Sequence, residues 1–593
     1  MGWFAQIQEG ISQAGGVQRY ATVLIRWLLP VLAVIVIARC ILSLLSEKSE
    51  AETWGWLSLP NGARINLNHW ENVIGRAKTS DVYMEYPSLS RNHAALVRDD
   101  KGNWRIYNVA SKSGIVINGK DADIRINDKT GAPVKTGDVI CLGGVDLIFV
   151  AADGKSEYEQ AAARTRPGKI YKQRTTLIFL TEFQLLLGLQ LCISKGDRLT
   201  AGLPLCFLAL ILLMWLCYLF TRIIRRVSFE VETIAFFLCS IGMAVVATGA
   251  PAELPRHILL LLMGVCLFFT LGWFLRDLGR AKKMRPPIAV FGILLLLANL
   301  ILGKSVYGAR NWLIIGGISF QPAELVKIAF ILAGAATLER LFARRNLIVF
   351  IGITGVCLIV LALINDFGMA MVFFVSYLVI AYLRSGDFAT IFLSVGGAGF
   401  AGFLALRFRS HIAARFASWG RAWEFANTSG YQQTRAMAAA ATGGLIGVGA
   451  GNGWLKHIFA ADTDLVFALV SEEMGLIIAL AAISSILALA VFSIRSAGTS
   501  RSSFYVIGAC AASVMLVFQM LLNVLGSVDI LPFTGVTFPF VSKGGSSLIS
   551  CWCLLAFIKA TDTRQNASFV VRTPKKPVGA DNSCAGKAGD DIE

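Results

Sequence analysis

Residues 201–221 read AGLPLCFLALILLMWLCYLFT, a stretch without one charged side chain, and Arg222, Arg225 and Arg226 follow at once. About 20 such residues in a helix cross the hydrocarbon core of a bilayer, and arginines collect at the cytoplasmic end of a span. The pattern recurs in both directions along the chain. Apolar runs of spanning length lie at 175–194, 201–221, 230–250, 257–275, 286–303, 321–339, 346–364, 367–383, 388–406, 465–494, 503–526 and 536–558, with a separate one at 22–46. The fold expected is therefore a polytopic α-helical membrane protein of about 12 spans plus one N-terminal anchor. Composition agrees, since 55% of the 593 residues are hydrophobic and 16% charged. A soluble chain that apolar would expose large adhesive patches.

Charge orients the spans. Arg222, Arg225, Arg226, Arg276, Arg280, Lys282, Lys283, Arg285, Arg340, Arg344, Arg345, Arg384, Arg495 and Arg501 fall in alternate short loops, whereas the opposite short loops hold only Lys195, Arg198, Arg256, Lys304 and Arg310. The richer set is expected to be cytoplasmic. The net charge of +17 then belongs to loops facing anionic membrane lipid, and no nucleic-acid module accompanies it. The run at 22–46 is too long for a signal-peptide core and lacks a small-x-small cleavage site, so it reads as a retained transmembrane anchor. Twelve cysteines form no Cys-x-x-Cys pair and no Cys/His cluster, which argues against a disulfide framework and a zinc site.

Residues 52–152 differ from the rest. Short β-type runs such as Trp104 to Asn108 and Val145 to Val150, with Asn118-Gly119 as a hairpin turn, indicate an inserted all-β sandwich. A basic linker occupies 153–174, the membrane domain 175–560, and a polar tail 561–593 that reads as disordered. Within the membrane domain, 407–464 is one long external loop, rich in aromatic residues and in glycine from Gly443 to Gly453. No Gly-Lys-Ser/Thr follows those glycines and no strand precedes them, so they are not a phosphate loop.

Ionisable residues within or at the edges of spans are functional suspects. Four groups qualify: Arg310 and Trp312 followed by Gln321, Glu324 and Lys327; Asp366 before Gly368; Asp462 and Asp464 followed by Glu472 and Glu473; and the broken stretch from Leu531 to Ser547, ending in Ser546 and Ser547. Glu324 and Lys327 share one helix face and can neutralise each other, as a packing ion pair or as a substrate contact. Asp366 and Asp464 each stand where a helix N-cap could stand.

In order and spacing these groups resemble the SEDS family (shape, elongation, division, sporulation) of RodA, FtsW and SpoVE. The family's Gly-Ala-x-Arg-Trp…Gln-Pro-Ser-Glu-x-x-Lys corresponds to Gly308–Lys327, its Asp-Leu-Gly to Asp366–Gly368, and its Gly-Tyr-Gln to Gly430, Tyr431 and Gln432. Its His-Thr-Asp-Phe-Ile-Phe corresponds to Asp462–Phe467, and its Leu-Pro-x-Thr-Gly-Val…Gly-Gly-Ser-Ser to Leu531–Ser547. Departures are Asp462 for His, Phe459-Ala460 for Pro-Glu, Asn311 for a basic residue and Lys543 for Tyr, with two extra spans before Gly308.

The resemblance implies a peptidoglycan glycosyltransferase joining lipid II units, the undecaprenyl-pyrophosphate-linked disaccharide peptide, on the external face of a bacterial plasma membrane. Asp464 would be the base that takes the acceptor hydroxyl's proton. The substrate-binding set would be Arg310, Trp312, Gln321, Glu324, Lys327, Asp366, Arg415, Arg421, Tyr431, Gln432, Ser546 and Ser547. Arg310, Arg415 and Arg421, or a divalent cation, would meet the pyrophosphate, and Asp462 could also help to hold a metal. No cofactor is otherwise implied. A lipid II flippase and a non-catalytic scaffold are the alternative readings.

The β region resembles a forkhead-associated (FHA) domain, with Gly75-Arg76, Ser90-Arg91-Asn92-His93, Ser111–Gly114 and Asn118-Gly119 on the family pattern. A phosphothreonine pocket of Arg76, Ser90, Arg91, Lys112 and Ser113 is implied, with His93 structural. The implied partners are a class B penicillin-binding transpeptidase and a phosphothreonine protein downstream of a Ser/Thr kinase. Thr573 in the tail is a possible ligand for the same pocket.

Overall fold

The computed structural model describes residues 15–46, 52–125, 131–164, 172–196, 199–224, 226, 228–306, 309–315, 318–338, 344–408 and 418–562. Arg415 and Thr573 lie outside them.

The first described element is helix α1 (Gly15–Ser46). Its residues Ile25, Leu29, Ala33, Val36, Cys40 and Leu44, three or four apart, are buried in the same core as the later helices, while Leu24, Trp27, Val31 and Val34 face outward. That spacing places one stripe against the bundle. The outward stripe is equally apolar, as lipid contact demands.

The β domain follows: β1 (Gly55–Ser58), β2 (Arg64–Leu67), β3 (Glu71–Gly75), β4 (Val82–Tyr83), β5 (Ala94–Arg98), β6 (Trp104–Asn108), β7 (Ile115–Ile117), β8 (Lys120–Asp121), β9 (Ala132–Val134), β10 (Val139–Leu142) and β11 (Val145–Ala151). They form two sheets, ordered β2-β1-β11-β10-β7-β8 and β4-β3-β5-β6-β9. Along β11, Val145, Leu147 and Phe149 are buried and Asp146 and Ile148 exposed, the two-residue period of a strand with one face on a core. Trp104 meets Phe149 edge-on at 5.3 Å between the sheets.

Helix α2 (Gly154–Arg164) leads into the membrane domain: α3 (Gln173–Lys195), α4 (Gly202–Ile223), α5 (Glu230–Gly249), α6 (Leu254–Leu275), α7 (Leu278–Leu302), α8 (Pro322–Gly334), α9 (Arg344–Ile364), α10 (Phe367–Ser385), α11 (Phe388–Phe408), α12 (Tyr431–Gly443), α13 (Val466–Glu473), α14 (Leu476–Ala497), α15 (Ser503–Ser527) and α16 (Gly545–Ala560). Among the described residues ten helices are long and apolar enough to cross a membrane: α1, α3 to α7, α9, α10, α14 and α15. The protein is thus an integral membrane protein. α5 is the central one, its apolar window wholly buried by its neighbours.

Three apolar runs are not single continuous helices. The run at 321–339 is helical only to Gly334, and Ala335 turns extended. That at 465–494 breaks between α13 and α14 at Gly475, whose φ is +93°. The run at 536–558 stays irregular until Gly545, with Phe540 at φ +64°. Apolarity marks a segment as buried but does not say whether its backbone is helical; such irregular backbone survives at membrane depth when protein covers it. Between α7 and α8 the chain forms a small antiparallel sheet, β12 (Lys304–Val306), β13 (Ala309–Ile315) and β14 (Ile318–Phe320).

The β domain is docked on one end of the bundle. The Arg501 guanidinium, between α14 and α15, grips Glu52 with both arms at 2.7 and 2.8 Å and lies over the rings of Trp54 and Trp70. Arg98, paired with Glu157 at 2.8 Å, lies over the same two rings. The Trp70 amide donates to the Arg501 carbonyl, and the Glu71 carboxylate accepts from the amides of Leu338 and Ser503 at 3.1 Å each. Burial raises the Glu71 pKa. Contacts of Gly249 with Asp462, Gln321 with Asp366 and Ser546, and Asn523 with Asp464 and Val536 gather the turns after α5, α7, α9 and α15 at the end away from the β domain.

Candidate functional site

The phosphate pocket implied by the resemblance is built from the edge of the β domain. β3 and β5 each run between the bundle and this edge. Glu71 and Arg98 lie at their docked ends, Gly75 and Ala94 at the other. Beyond Gly75, Arg76 and Ala77 donate their amides to the carbonyls of Ser90 and Arg91 at 3.0 Å each. A side chain at Gly75 would put its Cβ 2.1 Å from the Arg91 carbonyl oxygen, so glycine is required there. His93 is fully buried. Its Nδ1 accepts from the Ser90 amide at 3.3 Å and its Nε2 pairs with the Gly114 carbonyl at 3.2 Å, which assigns the proton to Nε2. Burial pushes its pKa below the ordinary 6.5, keeping the imidazole neutral and able to accept. One ring thereby joins the Ser90 loop to the Ser111–Gly114 loop. Arg76, Arg91, Lys112 and Ser113 are exposed and Ser90 is half-buried, above a framework fixed from below. Such a cluster can take an anion with two or more acceptor oxygens.

At the far end of the bundle, the loop from Val528 to Gly544 is the hub. Asn523 at the end of α15 donates to the carbonyls of both Asp464 and Val536 at 2.9 Å. Ser542 Oγ donates to the Thr463 carbonyl at 2.7 Å, and the Lys543 amide to that of Asp462 at 2.8 Å. Asp464 is half-buried at this junction. Gly535, at φ +67°, leaves room for it: a Cβ there would sit 3.1 Å from Asp464 Oδ2. Asp464 is not the N-cap of α13. Leu465 holds that position, and no side chain caps the helix.

The other residues implicated by sequence divide into three groups. In the first, Gln321 donates from Nε2 to Asp366 at 3.1 Å and from its amide to Ser546 Oγ at 3.2 Å. Asp366 caps α10 by accepting from the Met369 amide at 3.1 Å, with Asn311 as a further hydrogen-bond partner. Ser547 meets Thr537 at 2.9 Å. Glu324 and Lys327 form the second group. They are 1% and 0% exposed and ion-paired with each other, and Lys327 also donates to Gln519 at 3.0 Å. A third group lies on the surface: Arg310, half-buried Trp312 on β13, Tyr431 with Arg435 over its ring, and Gln432, which donates to the Phe459 carbonyl at 2.9 Å. Arg421 is exposed, 3.9 Å from the equally exposed Glu424, a pair of little energetic weight.

Sequence reading did not single out Lys543, Glu253 and Asn523 as site residues. The Lys543 ammonium lies 3.2 Å from Glu253 and 3.3 Å from Asp462. Among the described residues no group of three or more His, Cys, Asp or Glu side chains could hold a metal. Glu472 and Glu473 also have a use that their motif does not reveal. Glu472 accepts from the amides of Trp454 and Leu455, and Glu473 from that of Gly451 and from Thr248 Oγ1. The two carboxylates brace the C-terminal part of the glycine-rich stretch and the residues just after it.

Comparison with known proteins bears on both ends. A family model described as cell cycle protein, FtsW/RodA/SpoVE, matches residues 231–567, and the FHA domain model matches residues 72–143. A probable peptidoglycan glycosyltransferase FtsW of Tolumonas auensis is 30% identical over 361 residues, 57% of this chain and 93% of its own. The peptidoglycan glycosyltransferase RodA of Mycobacterium tuberculosis is 27% identical over 322 residues, 51% of this chain and 69% of its own. The solved rod shape determining protein RodA of Thermus thermophilus aligns over 56% of this chain and 95% of its own at 24% identity, with a TM-score of 0.39.

Proposed function

The chain belongs to the FtsW/RodA/SpoVE family, and from that premise we propose that it is a peptidoglycan glycosyltransferase that polymerises glycan strands from lipid II in bacterial cell-wall synthesis. The observation that carries the reading is Asp464. It is a half-buried carboxylate at the far end of the bundle, with its backbone held by Asn523 and its side chain against Gly535, where any larger residue would crowd it. A base in that setting can take the proton of a sugar hydroxyl as the hydroxyl oxygen attacks the donor's anomeric carbon. Undecaprenyl pyrophosphate leaves with the bonding pair, and its charge is met by exposed arginines such as Arg310 or by a divalent cation.

By the positive-inside rule this end is external, and the β domain and C-terminus are cytoplasmic. The β domain is an FHA module that binds a phosphothreonine protein downstream of a Ser/Thr kinase through Arg76, Ser90, Arg91 and Lys112. A class B penicillin-binding transpeptidase is the partner on the external side. The test uses purified full-length protein and lipid II in detergent. Wild type is expected to make polymer and Asp464→Ala none, with both equally stable to heat. Polymer from Asp464→Ala rejects the base assignment; a flippase or a scaffold would make no polymer even as wild type.

A further inference from the structure

Two departures from the family pattern, Asp462 and Lys543, turn out to touch. Lys543 Nζ lies 3.3 Å from Asp462 Oδ2 and 3.2 Å from Glu253 Oε1. Its backbone amide donates to the Asp462 carbonyl at 2.8 Å. Glu253 closes the 3₁₀ turn Pro251–Glu253 between α5 and α6. One ammonium therefore joins three segments: that turn, the loop Val528–Gly544, and the turn carrying Asp464.

We infer that Lys543 is a positioning residue, holding the Asp464 turn in its working geometry through the ion pairs to Asp462 and Glu253. This rests on the glycosyltransferase reading above. The carbonyls of Asp462, Thr463 and Asp464 accept hydrogen bonds from Lys543, Ser542 and Asn523 in turn. The backbone is thus already laced to the hub, but nothing in that lacing offsets charge. Asp462 stands two residues from Asp464, and like charges at that spacing repel. With the ammonium in place, Asp462 is neutralised and the two loops stay closed on the turn. Without it, Glu253 and Asp462 face each other across the gap and the loops part from the turn. The side chains of Lys543, Asp462 and Glu253 are 26%, 18% and 49% exposed, so the triad lies at the partly exposed end of the bundle and is not sealed in the core.

Polymerisation of lipid II by purified full-length variants tests this, with hydrogen exchange of residues 462–466 as a readout that needs no activity. Lys543→Met is expected to lower kcat by about 10- to 100-fold, the scale for misplacing a reacting group by an ångström, with KM little changed and exchange faster. Lys543→Arg should restore most of both. The double variant Glu253→Gln/Asp462→Asn should lower kcat as well. If Lys543→Met abolishes polymer while Glu253→Gln/Asp462→Asn matches wild type, Lys543 acts on the substrate itself and the inference falls. It falls equally if kcat and exchange in Lys543→Met match wild type. Should wild type make no polymer, the glycosyltransferase reading fails separately, and exchange alone decides: faster in Lys543→Met and restored in Lys543→Arg supports the clamp, unchanged rejects it.

Discussion

The two ends of the molecule treat charge in opposite ways. At the outer edge of the β domain Arg76, Arg91 and Lys112 stand in solvent over loops pinned by backbone hydrogen bonds and His93. In the bundle, several charges are met by countercharge, Glu324 by Lys327, Glu232 by Lys559 at 3.1 Å, and Asp462 and Glu253 by Lys543, and others such as Asp366, Glu472 and Glu473 by amide and hydroxyl donors. Water solvates an unpaired arginine cheaply, and a ligand anion can later take the water's place. A charge inside a helix bundle has no such reserve, and leaving it unpaired costs several kcal/mol. An exposed anion pocket can thus be built from loops alone, whereas charges within the bundle must arrive already held by partners.

Four experiments probe that contrast. The largest effect is expected inside the bundle. Lys327→Met strands Glu324 and should destabilise the protein by about 3–5 kcal/mol, whereas Glu324→Gln/Lys327→Met together should recover most of the loss in thermal unfolding in detergent. Equal damage from both variants would mean the pair does more than neutralise itself. Next, Arg76→Ala should weaken a phosphothreonine peptide by tenfold or more in titration calorimetry, with no change in melting temperature, because the side chain is exposed.

Arg501→Ala removes a two-armed grip on Glu52 and should loosen docking of the β domain by about 1.5–3 kcal/mol, seen as faster hydrogen exchange in β1 and β3. Peptide affinity should be unchanged, since β3 and β5 separate the pocket from the docked edge. A fall in affinity would show that pocket and docking are coupled. The smallest effect concerns His93. Its folded pKa is lowered from 6.5, so the unfolded state binds the proton more readily. The stability this provides is full above 6.5 and is lost as pH falls from there through the folded value. Exchange at Ala94–Arg98 should therefore rise on acidification beyond the intrinsic rate, and less so in His93→Gln.

Much of this was legible in the sequence. Apolar runs marked every long helix because span length is set by bilayer thickness, a property that a short window of residues can satisfy or fail by itself. The alternation in β11 and the Asn118-Gly119 turn marked the sandwich for the same local reason. The small sheet β12 to β14 was not legible. Its strands run three to seven residues between two helices, and the motif there had been noticed for its chemistry. The break at Gly475 was hidden too, since hydropathy does not record backbone conformation, whereas Pro and Gly between Leu531 and Ser547 had marked the irregular start of 536–558.

For the candidate site, sequence order named Asp464, Asp366, Gln321 and the implied pocket residues of the β domain. It also listed Asp462 and Lys543 as departures, but as two unrelated ones. What the sequence determined by itself is the set of segments: which cross the bilayer, which fold as strands, and which short motifs they carry. Those follow from periodicity and composition within a few turns of chain. Only the tertiary structure decided the pairings, Arg501 with Glu52 across 449 residues and Lys327 with Gln519 across 192, and Lys543 with both Asp462 and Glu253. An ion pair depends on distance in space, and distance in space between remote segments is set by how the helices pack.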